Sequence, residues 1–211
     1  MTTPTVNSIA ELLDCIHQLD TQRRQIIAIA APPAAGKSTL AQRLVEAINQ
    51  KQTDSAKVIP MDGFHLDNRV LSERGLLARK GAPETFDTKG FIHLIKRLKV
   101  EYEVVIPLFD RERDIAIAGA DIVREQHKLL VVEGNYLLLN SAPWSELHEL
   151  WDLSIWIEVE EAVLEQRLIE RWLSYGFNSE EAKAKALLND LPNARKIINE
   201  SIKAKYTLVI R

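Results

Sequence analysis

The segment APPAAGKST (31–39) constrains the fold of this chain more than any other feature. It follows the apolar run IIAIA (26–30), which is typical of a strand buried on both faces of a parallel sheet. A helical pattern continues from about residue 38 to residue 50. The segment fits the phosphate-binding pattern G-x-x-x-x-G-K-S/T, except that Ala31 stands at the first glycine position. Strand, loop and helix together predict a nucleotide-phosphate site.

Such a loop binds phosphate because its backbone N–H groups and the positive end of the following helix converge on the same oxygens. Gly36 would allow close approach, Lys37 would reach the β and γ phosphates, and Ser38 would bind a metal ion. We therefore predict ATP and Mg²⁺ as ligands. The predicted nucleotide contacts in the loop are Ala34, Ala35, Gly36, Lys37, Ser38 and Thr39.

Further apolar runs alternate with helical patterns and predict repeated strand–helix–strand units. These runs span residues 57–61, 104–108, 129–132, 153–159 and 206–210. An amphipathic helix at about 8–20 precedes them, with Ser8 and Glu11 as a capping box. We expect one domain over residues 1–211, a three-layer α/β/α P-loop NTPase fold with a mostly parallel central sheet. A charged insert at about 66–90 is longer than a plain connection needs, which is typical of a functional segment.

Composition narrows the choice of partners. A net charge of −3 and a pI near 6.0 argue against a nucleic-acid partner, which would require clustered basic residues, so a small molecule is expected. No apolar run is long enough for a membrane span and no signal peptide is evident, so we expect a cytoplasmic protein. The single cysteine, Cys15, falls on the apolar side of the first helix, where we expect it to be buried. The oligomeric state stays open, a homodimer included.

Two carboxylates end predicted strands at the same sheet edge as the loop. Asp62 follows the run at 57–61 and could act as a general base or, equally, cap a turn before Gly63. Glu133 ends the run at 129–132, where a buried acid needs a partner. We expect Glu133 to bind metal, directly or through water, or to orient Asp62 or the substrate.

Arg167 and Arg171 lie four residues apart on one face of a predicted helix. Like charges at this spacing repel by roughly 0.2–0.5 kcal/mol, so a nearby anion would explain the pair. Two solvated arginines are the alternative, about equally expected for Arg167. The scattered residues His17, His93, His127 and His148 have no metal-ligand spacing and are expected to be structural or exposed.

Six sequence motifs, spread over nearly the whole chain, give it a resemblance to a known family. The motifs are IAAPPAAGKSTL (29–40), PMDGFHLDN (60–68), RGLLARKGAPETFD (74–87), PLFDRERDIAIAGA (107–120), VVEGNYLLL (131–139) and NDLPNA (189–194). The chain resembles the uridine kinase, phosphoribulokinase and pantothenate kinase group of P-loop kinases. It is most similar to the branch of fructose-transport-system or nucleoside/nucleotide-kinase-like proteins.

The resemblance implies roles for particular residues. Asp62 looks like the general base, and a lid at about 160–190 would bring Arg167 and Arg171 to the phosphates. Asn193 would line the adenine side. Family members usually carry glycine where this chain has Ala31, a departure that bears on nucleotide affinity and leaves the implied chemistry unchanged. The implied acceptor contacts are His65, Arg79, Lys80, Glu84, Asp110 and Arg111.

The expected activity is therefore transfer of the γ-phosphoryl group of ATP to a hydroxyl of a small molecule. A sugar such as fructose, a nucleoside or a pantothenate-like alcohol would serve as acceptor. The predicted catalytic residues are Asp62, Lys37, Glu133 and Arg171, with Ser38 and Glu133 at the metal. The alternative is a regulatory or chaperone-like NTPase, for which an exposed apolar patch on the insert would be expected.

Overall fold

The computed structural model describes residues 3–209 and contains eight strands and seven α-helices in that range. The strands are β1 (Thr5–Val6), β2 (Gln25–Ala30), β3 (Ala56–Pro60), β4 (Val104–Asp110), β5 (Ile115–Val123), β6 (Leu129–Gly134), β7 (Leu153–Glu158) and β8 (Tyr206–Val209). The helices are α1 (Ile9–Ile16), α2 (Lys37–Lys51), α3 (Asn68–Glu73), α4 (Thr88–Val100), α5 (Glu161–Ser174), α6 (Ser179–Lys185) and α7 (Leu191–Glu200).

The central sheet has six strands in the order β1-β8-β7-β2-β6-β3, and every pair is parallel. Strand β2 lies at its middle, and all six of its residues are buried. Alternate side chains point to opposite faces, as the pleat requires, with Ile26 and Ala28 in one core cluster and Ile27 and Ile29 in the other. The predicted parallel sheet is confirmed.

Helices cover both faces of the sheet and complete the three layers. On one face, Leu12 of α1 and Leu44 of α2 pack in the cluster that holds Ile27. On the other, Phe91 of α4 and Ile197 of α7 pack in the cluster that holds Ile26. The first helix is shorter than predicted, because it begins after the N-cap Ser8 and ends at Ile16.

The predicted strand at 104–108 forms, but it lies outside the parallel sheet. It belongs to β4, which pairs antiparallel with β5 in a separate two-stranded ribbon. Strand β5 was not predicted, because its small residues are mostly half-buried or exposed and give no continuous apolar run. The two-residue strand β1 was too short to predict, and position 210 of the run at 206–210 lies outside the described residues.

Arg24 fastens the base of this ribbon to the sheet. Its side chain makes five hydrogen bonds, and every acceptor is a main-chain carbonyl. The acceptors are His127 (3.1 Å), Leu98 (2.7 Å), Glu101 (2.8 Å), Tyr102 (3.0 Å) and Arg124 (3.0 Å). The end of α4, the residues before β4 and the residue after β5 are thereby held next to the start of β2.

The insert and the lid region fold as short helical pieces beside the sheet edge. The insert contains α3 and two 3₁₀ turns, Leu77–Arg79 and Pro83–Thr85. The lid contains α5, α6 and a π-helical turn at Ala186–Asp190. Cys15 is partly buried against the core, close to its predicted environment. None of the helices in residues 3–209 has the length and apolar character that crossing a membrane requires.

Candidate active site

The phosphate loop joins β2 to α2, and two of its residues have left-handed backbone conformations. Gly36 has φ 90° and caps α2, and Ala34 has φ 62°. Ala31 is fully buried in the core cluster that also holds Ile27. Its φ is not positive, unlike that of Ala34. Because position 31 does not use the freedom of glycine, the alanine there leaves the loop conformation intact.

Lys37 lies folded over the loop, where its Nζ donates a 2.8 Å hydrogen bond to the carbonyl of Pro32. The side chain is buried, and burial lowers the pKa of Lys37 to about 8, although Glu133 and Asp62 oppose this shift. Because the charged form of a buried lysine is stabilised by nearby negative charge, Lys37 favours binding of a polyanion such as a triphosphate.

Ser38 and Glu133 face each other, as the sheet edge predicts. The Ser38 hydroxyl donates a 3.1 Å hydrogen bond to Oε1 of Glu133. In the sheet register Glu133 lies opposite Ile29 of β2 and Pro60 of β3, which places it between the loop and Asp62. Burial raises the pKa of Glu133, so a cation nearby would stabilise its charged form.

This hydroxyl and carboxylate suit Mg²⁺, which prefers oxygen ligands and usually combines one or two protein oxygens with phosphates and water. The described residues contain no cluster of three or more His, Cys, Asp or Glu side chains able to hold a metal by themselves. Ser38 and Glu133 therefore fit a metal that arrives with nucleotide phosphates, and do not form a closed cage.

Asp62 lies in a 3₁₀ turn, Met61–Phe64, that directly follows β3. Nη2 of Arg111 donates a 2.6 Å hydrogen bond to Oδ2 of Asp62. Arg111 sits at the tip of the β4–β5 ribbon, so residues 49 positions apart meet here. Gly63 allows the approach, since a Cβ there would lie 2.5 Å from the carbonyl oxygen of Pro107.

Asp62 lines a cavity of about 510 Å³, here called the Asp62 cavity. The insert, the ribbon tip and the lid contribute its walls. The predicted site residues that line it are Asp62, His65, Lys80, Arg111, Arg171 and Asn193.

His65 forms part of the Asp62 cavity wall between two phenylalanine rings. The ring centroids of Phe86 and Phe109 lie 4.1 and 4.6 Å from that of His65. Its Nδ1 lies 2.8 Å from the main-chain oxygen of Asp62. A carbonyl can only accept, so Nδ1 carries the proton and Nε2 of the neutral ring is an acceptor. Burial lowers the pKa of His65 and favours that neutral form.

Lys80 contacts both the insert and the ribbon. Its Nζ lies 2.7 Å from Oδ1 of Asn68 and 2.7 Å from Oδ2 of Asp114, and 5.3 Å from the centre of the Phe109 ring. Asp114 was not predicted as a site residue. Its φ of 55° places it in the tight turn between β4 and β5, and an aspartate in such a turn is the only sequence signal for it.

Three predicted acceptor contacts do not line the Asp62 cavity. Nε of Arg79 lies 2.7 Å from Oε1 of Glu84, so these two side chains pair with each other. Asp110 pairs with Arg113, again at 2.7 Å. Arg79 and Asp110 each adjoin a residue that does line the cavity, Lys80 and Arg111, whereas Glu84 lies two residues before Phe86.

The two lid arginines face opposite sides of the loop. Nη1 of Arg167 donates a long, 3.4 Å hydrogen bond to the carbonyl of Ala34. Nη2 of Arg171 lies 3.0 Å from Oδ2 of Asp190, which also accepts a 2.7 Å bond from Nε1 of Trp172. In the described part of the chain, Nε of Arg171 is buried without a hydrogen-bond partner. Arg171 thus lines the Asp62 cavity with a guanidinium whose hydrogen-bonding groups are only partly paired by the described residues.

Aromatic lid residues were missed as site residues by sequence reasoning. Trp172, Tyr175 and Phe177 line the Asp62 cavity, and Nζ of Lys185 lies 4.7 Å from the ring centres of Trp172 and Phe177. Trp172 matched the apolar stripe of its helix, which gave no reason to assign it a ligand.

A second cavity, of about 720 Å³, lies on the other side of the loop and is here called the Asn7 cavity. Its walls come from the loop, the start of α2, Arg167, the end of β8 and residues 7–9. Asn193 lines the Asp62 cavity and not this one, and its predicted place on the adenine side stays a prediction.

Most of the chain matches the model of one protein family. The model of the phosphoribulokinase/uridine kinase family matches residues 26–210. The chain belongs to this family. The match includes the loop, Asp62, Glu133 and the lid, and it begins after β1 and α1.

Curated relatives agree with the family assignment. A candidate uridine kinase of Schizosaccharomyces pombe is 34% identical over 90% of this chain and 85% of its own length. Protein YggC of Escherichia coli, which carries no functional name, is 33% identical over 93% of this chain and 82% of its own. The pantothenate kinase of Clavibacter michiganensis is 32% identical over 71% of this chain, which spans about half (48%) of that enzyme.

Solved structures extend the likeness to three dimensions. A candidate fructose transport system kinase from Silicibacter sp. TM1040 is 48% identical, with a TM-score of 0.91 over 96% of this chain and 99% of that one. YFH7 of Saccharomyces cerevisiae has a TM-score of 0.83 at 21% identity over 97% of this chain and 99% of that one, which shows a shared fold.

Membership of this family makes the chain a small-molecule kinase with a P-loop nucleotide site. The surface of the insert is consistent with a kinase. Among the described residues of the insert, Leu77 is the one large hydrophobic side chain that is exposed, and it lines the Asp62 cavity. The apolar patch expected of a regulatory or chaperone-like NTPase is not found on the insert within residues 3–209.

Proposed function

We propose that this kinase transfers the γ-phosphoryl group of ATP to a hydroxyl of a small molecule bound in the Asp62 cavity, with Asp62 as general base. The observation that carries the proposal is the position of the Asp62 carboxylate. It follows β3 at the sheet edge that bears the phosphate loop, and it lines a cavity large enough for a metabolite.

On the nucleotide side, the backbone of residues 34–39 and Lys37 would bind the phosphates. Ser38 and Glu133 would hold Mg²⁺, Glu133 directly or through water, and the ion would neutralise charge on the phosphate oxygens. Arg171, which lines the Asp62 cavity, would donate from its guanidinium to the transferring group, while Arg167, which lines the Asn7 cavity, would contact phosphates nearer the nucleoside.

Asp62 would accept the proton of the acceptor hydroxyl as that oxygen attacks the γ phosphorus. The new P–O bond forms while the bond between the γ phosphorus and the bridging oxygen breaks, and ADP leaves. Arg111 holds the Asp62 carboxylate in place, because its guanidinium donates a 2.6 Å hydrogen bond to Oδ2.

A polyhydroxylated acceptor suits the Asp62 cavity. Nε2 of His65 would accept a hydrogen bond from a hydroxyl, and Lys80 and Arg111 would donate to oxygens. The flat rings of Phe86, Phe109 and Trp172 can cover a sugar or base face. A sugar such as fructose, a nucleoside and a pantothenate-like alcohol are the candidate acceptors, in line with the names of the relatives.

The test is ADP formation by the purified protein with Mg²⁺ and ATP, against sugars, nucleosides, pantothenate and a control without acceptor. We expect turnover that depends on one acceptor class. Asp62→Asn should keep ATP binding and lose turnover by about 100-fold or more, the usual range for a general base. Lys37→Ala should impair both binding and turnover.

Asp110→Asn is the matched control, because this nearby ribbon carboxylate pairs with Arg113 outside the cavity. It should retain near-normal turnover. An Asp62→Asn protein as active as Asp110→Asn would remove Asp62 from the role of base. ATP hydrolysis that no acceptor stimulates would contradict the proposed transfer.

A further inference from the structure

Residues 7–9 line the Asn7 cavity although they lie outside the part of the chain that matches the family, which starts at residue 26. The same cavity is bounded by Gly36 and Thr39 of the phosphate loop. A triphosphate bound on that loop with its γ phosphate toward Asp62 would therefore extend its nucleoside into this cavity. The N-terminal segment would then contact the nucleobase.

The structure fixes the backbone of this segment firmly. Strand β1 pairs with β8, with Val6 opposite Leu208. Glu11 accepts a 3.0 Å hydrogen bond from the main-chain N–H of Asn7, and the Ser8 hydroxyl accepts a 3.2 Å bond from the N–H of Glu11. Residues 7–9 are thus held between the edge of the sheet and the first turn of α1.

One polar side chain of this segment is free to bind a ligand. The Ser8 hydroxyl is engaged with Glu11, and Ile9 adds an apolar wall together with Leu40 and Leu208. The Asn7 side chain is exposed, and within residues 3–209 its carboxamide makes no hydrogen bond. Thr39, Arg43 and Arg167 also line the cavity, so its walls combine apolar side chains with a few polar groups, which is the usual composition of a small-molecule site.

A carboxamide presents a donor and an acceptor side by side. This pattern matches the N6 amino group and N7 of adenine, whereas guanine presents two acceptors, O6 and N7, along the corresponding edge. We propose that residues 7–9 form a nucleobase-recognition element and that Asn7 selects adenine over guanine. The inference rests on the proposed function, because it requires a nucleoside triphosphate on the phosphate loop.

The experiment measures the dissociation constants of ATP, GTP and inorganic tripolyphosphate by calorimetry, for the unmodified protein, Asn7→Ala and Asn7→Asp. In Asn7→Ala, ATP should bind about tenfold more weakly, the loss of one paired base contact, while GTP and tripolyphosphate bind as before. In Asn7→Asp, the preference for ATP over GTP should rise, because the carboxylate still accepts from the N6 amino group of adenine but repels both acceptors on that edge of guanine. The ratio matters because the added negative charge weakens binding of both nucleotides.

Asn199→Asp is the matched control, since Asn199 is an exposed asparagine of α7 that lines none of the cavities described above. It should leave the ATP/GTP ratio unchanged. An unchanged ratio in both Asn7 variants, with ATP bound tightly and lost in Lys37→Ala, would overturn the role of Asn7 and leave the proposed function standing. Failure of the unmodified protein to bind ATP would overturn both.

Discussion

At the scale of single residues, the phosphate loop needs glycine at one position and tolerates alanine at another. Gly36 has φ 90°, and a Cβ there would meet no atom within 4 Å. Glycine is therefore required at position 36 by the backbone conformation and not by steric crowding. Ala31 is buried without positive φ, so its methyl group contributes to the core. The sequence pattern marks both positions as glycine and cannot separate these two situations.

Ala31→Gly should therefore destabilise the protein, although it restores the usual pattern. Loss of a buried methyl group and the added freedom of glycine should together lower the free energy of unfolding by about 1–2 kcal/mol. Urea denaturation measures this change. The control is Ala34→Gly, which should be at least as stable as the unmodified protein because φ at 34 is already 62°. A more stable Ala31→Gly protein would contradict this account of the loop.

His65 should make stability depend on pH. Burial lowers its pKa in the folded protein below the ordinary value of about 6.5, so the unfolded chain binds more protons between the two values. Stability is then fully present above about pH 6.5 and is lost as the pH falls, by at most about 1.4 kcal/mol per pH unit for one proton.

Denaturation of the unmodified protein and of His65→Phe from pH 7.5 to pH 5 tests this prediction. Phenylalanine keeps a ring between Phe86 and Phe109 and cannot titrate. The free energy of unfolding of the unmodified protein should fall more steeply below pH 6.5. Parallel curves for the two proteins would show that His65 does not titrate in this way.

At the scale of elements, the turn that carries Asp62 packs directly on the β4–β5 ribbon. A Cβ at Gly63 would lie 2.5 Å from the main-chain oxygen of Pro107 and 2.8 Å from its carbonyl carbon. Because main-chain atoms cannot move aside as a flexible side chain can, any side chain at 63 would separate the turn from the ribbon. The position of Asp62 relative to Arg111 depends on that contact.

Gly63→Ala should therefore reduce turnover by tenfold or more and lower the melting temperature. Steady-state kinetics with the identified acceptor, together with a thermal melt, measure both effects. Gly119→Ala is the comparison, because Gly119 has φ 71° within β5 and should lose stability through backbone strain without loss of turnover. Equal turnover in the two variants would mean that the turn tolerates separation from the ribbon.

The elements differ in how far the sequence predicts them. Short buried runs such as 26–30 and 129–132 predict their place in a parallel sheet, because their length and β-branched residues are typical of a strand covered on both faces. The ribbon depends on pairing between half-exposed segments, and its antiparallel partner cannot be recognised from apolar content. The π-helical turn at Ala186–Asp190, which brings Asp190 to Arg171, leaves no sequence signal that we identify.

At the scale of the whole molecule, two cavities flank one loop, and they are built differently. The loop residues are contiguous, so a sequence motif suffices to predict them. The Asp62 cavity combines the insert, the ribbon tip and the lid, which are distant in the chain. Sequence neighbours such as Arg79 and Lys80 were therefore predicted together, yet the fold brings Lys80 to the cavity and leaves Arg79 outside.

The attachment of the ribbon by Arg24 affects which ribbon residues are free to vary. All five acceptors of the Arg24 side chain are main-chain carbonyls, which every residue supplies whatever its side chain. The anchor therefore places little demand on the ribbon's own sequence. Residues 101, 102 and 124 can therefore change without loss of this anchor. The constraint on the ribbon falls instead on Val104, Ile106 and Val123, which are buried in the core, and on Arg111, which contacts Asp62. Variation in the ribbon is thus expected first where it meets Arg24, while the tip that faces the Asp62 cavity keeps its position.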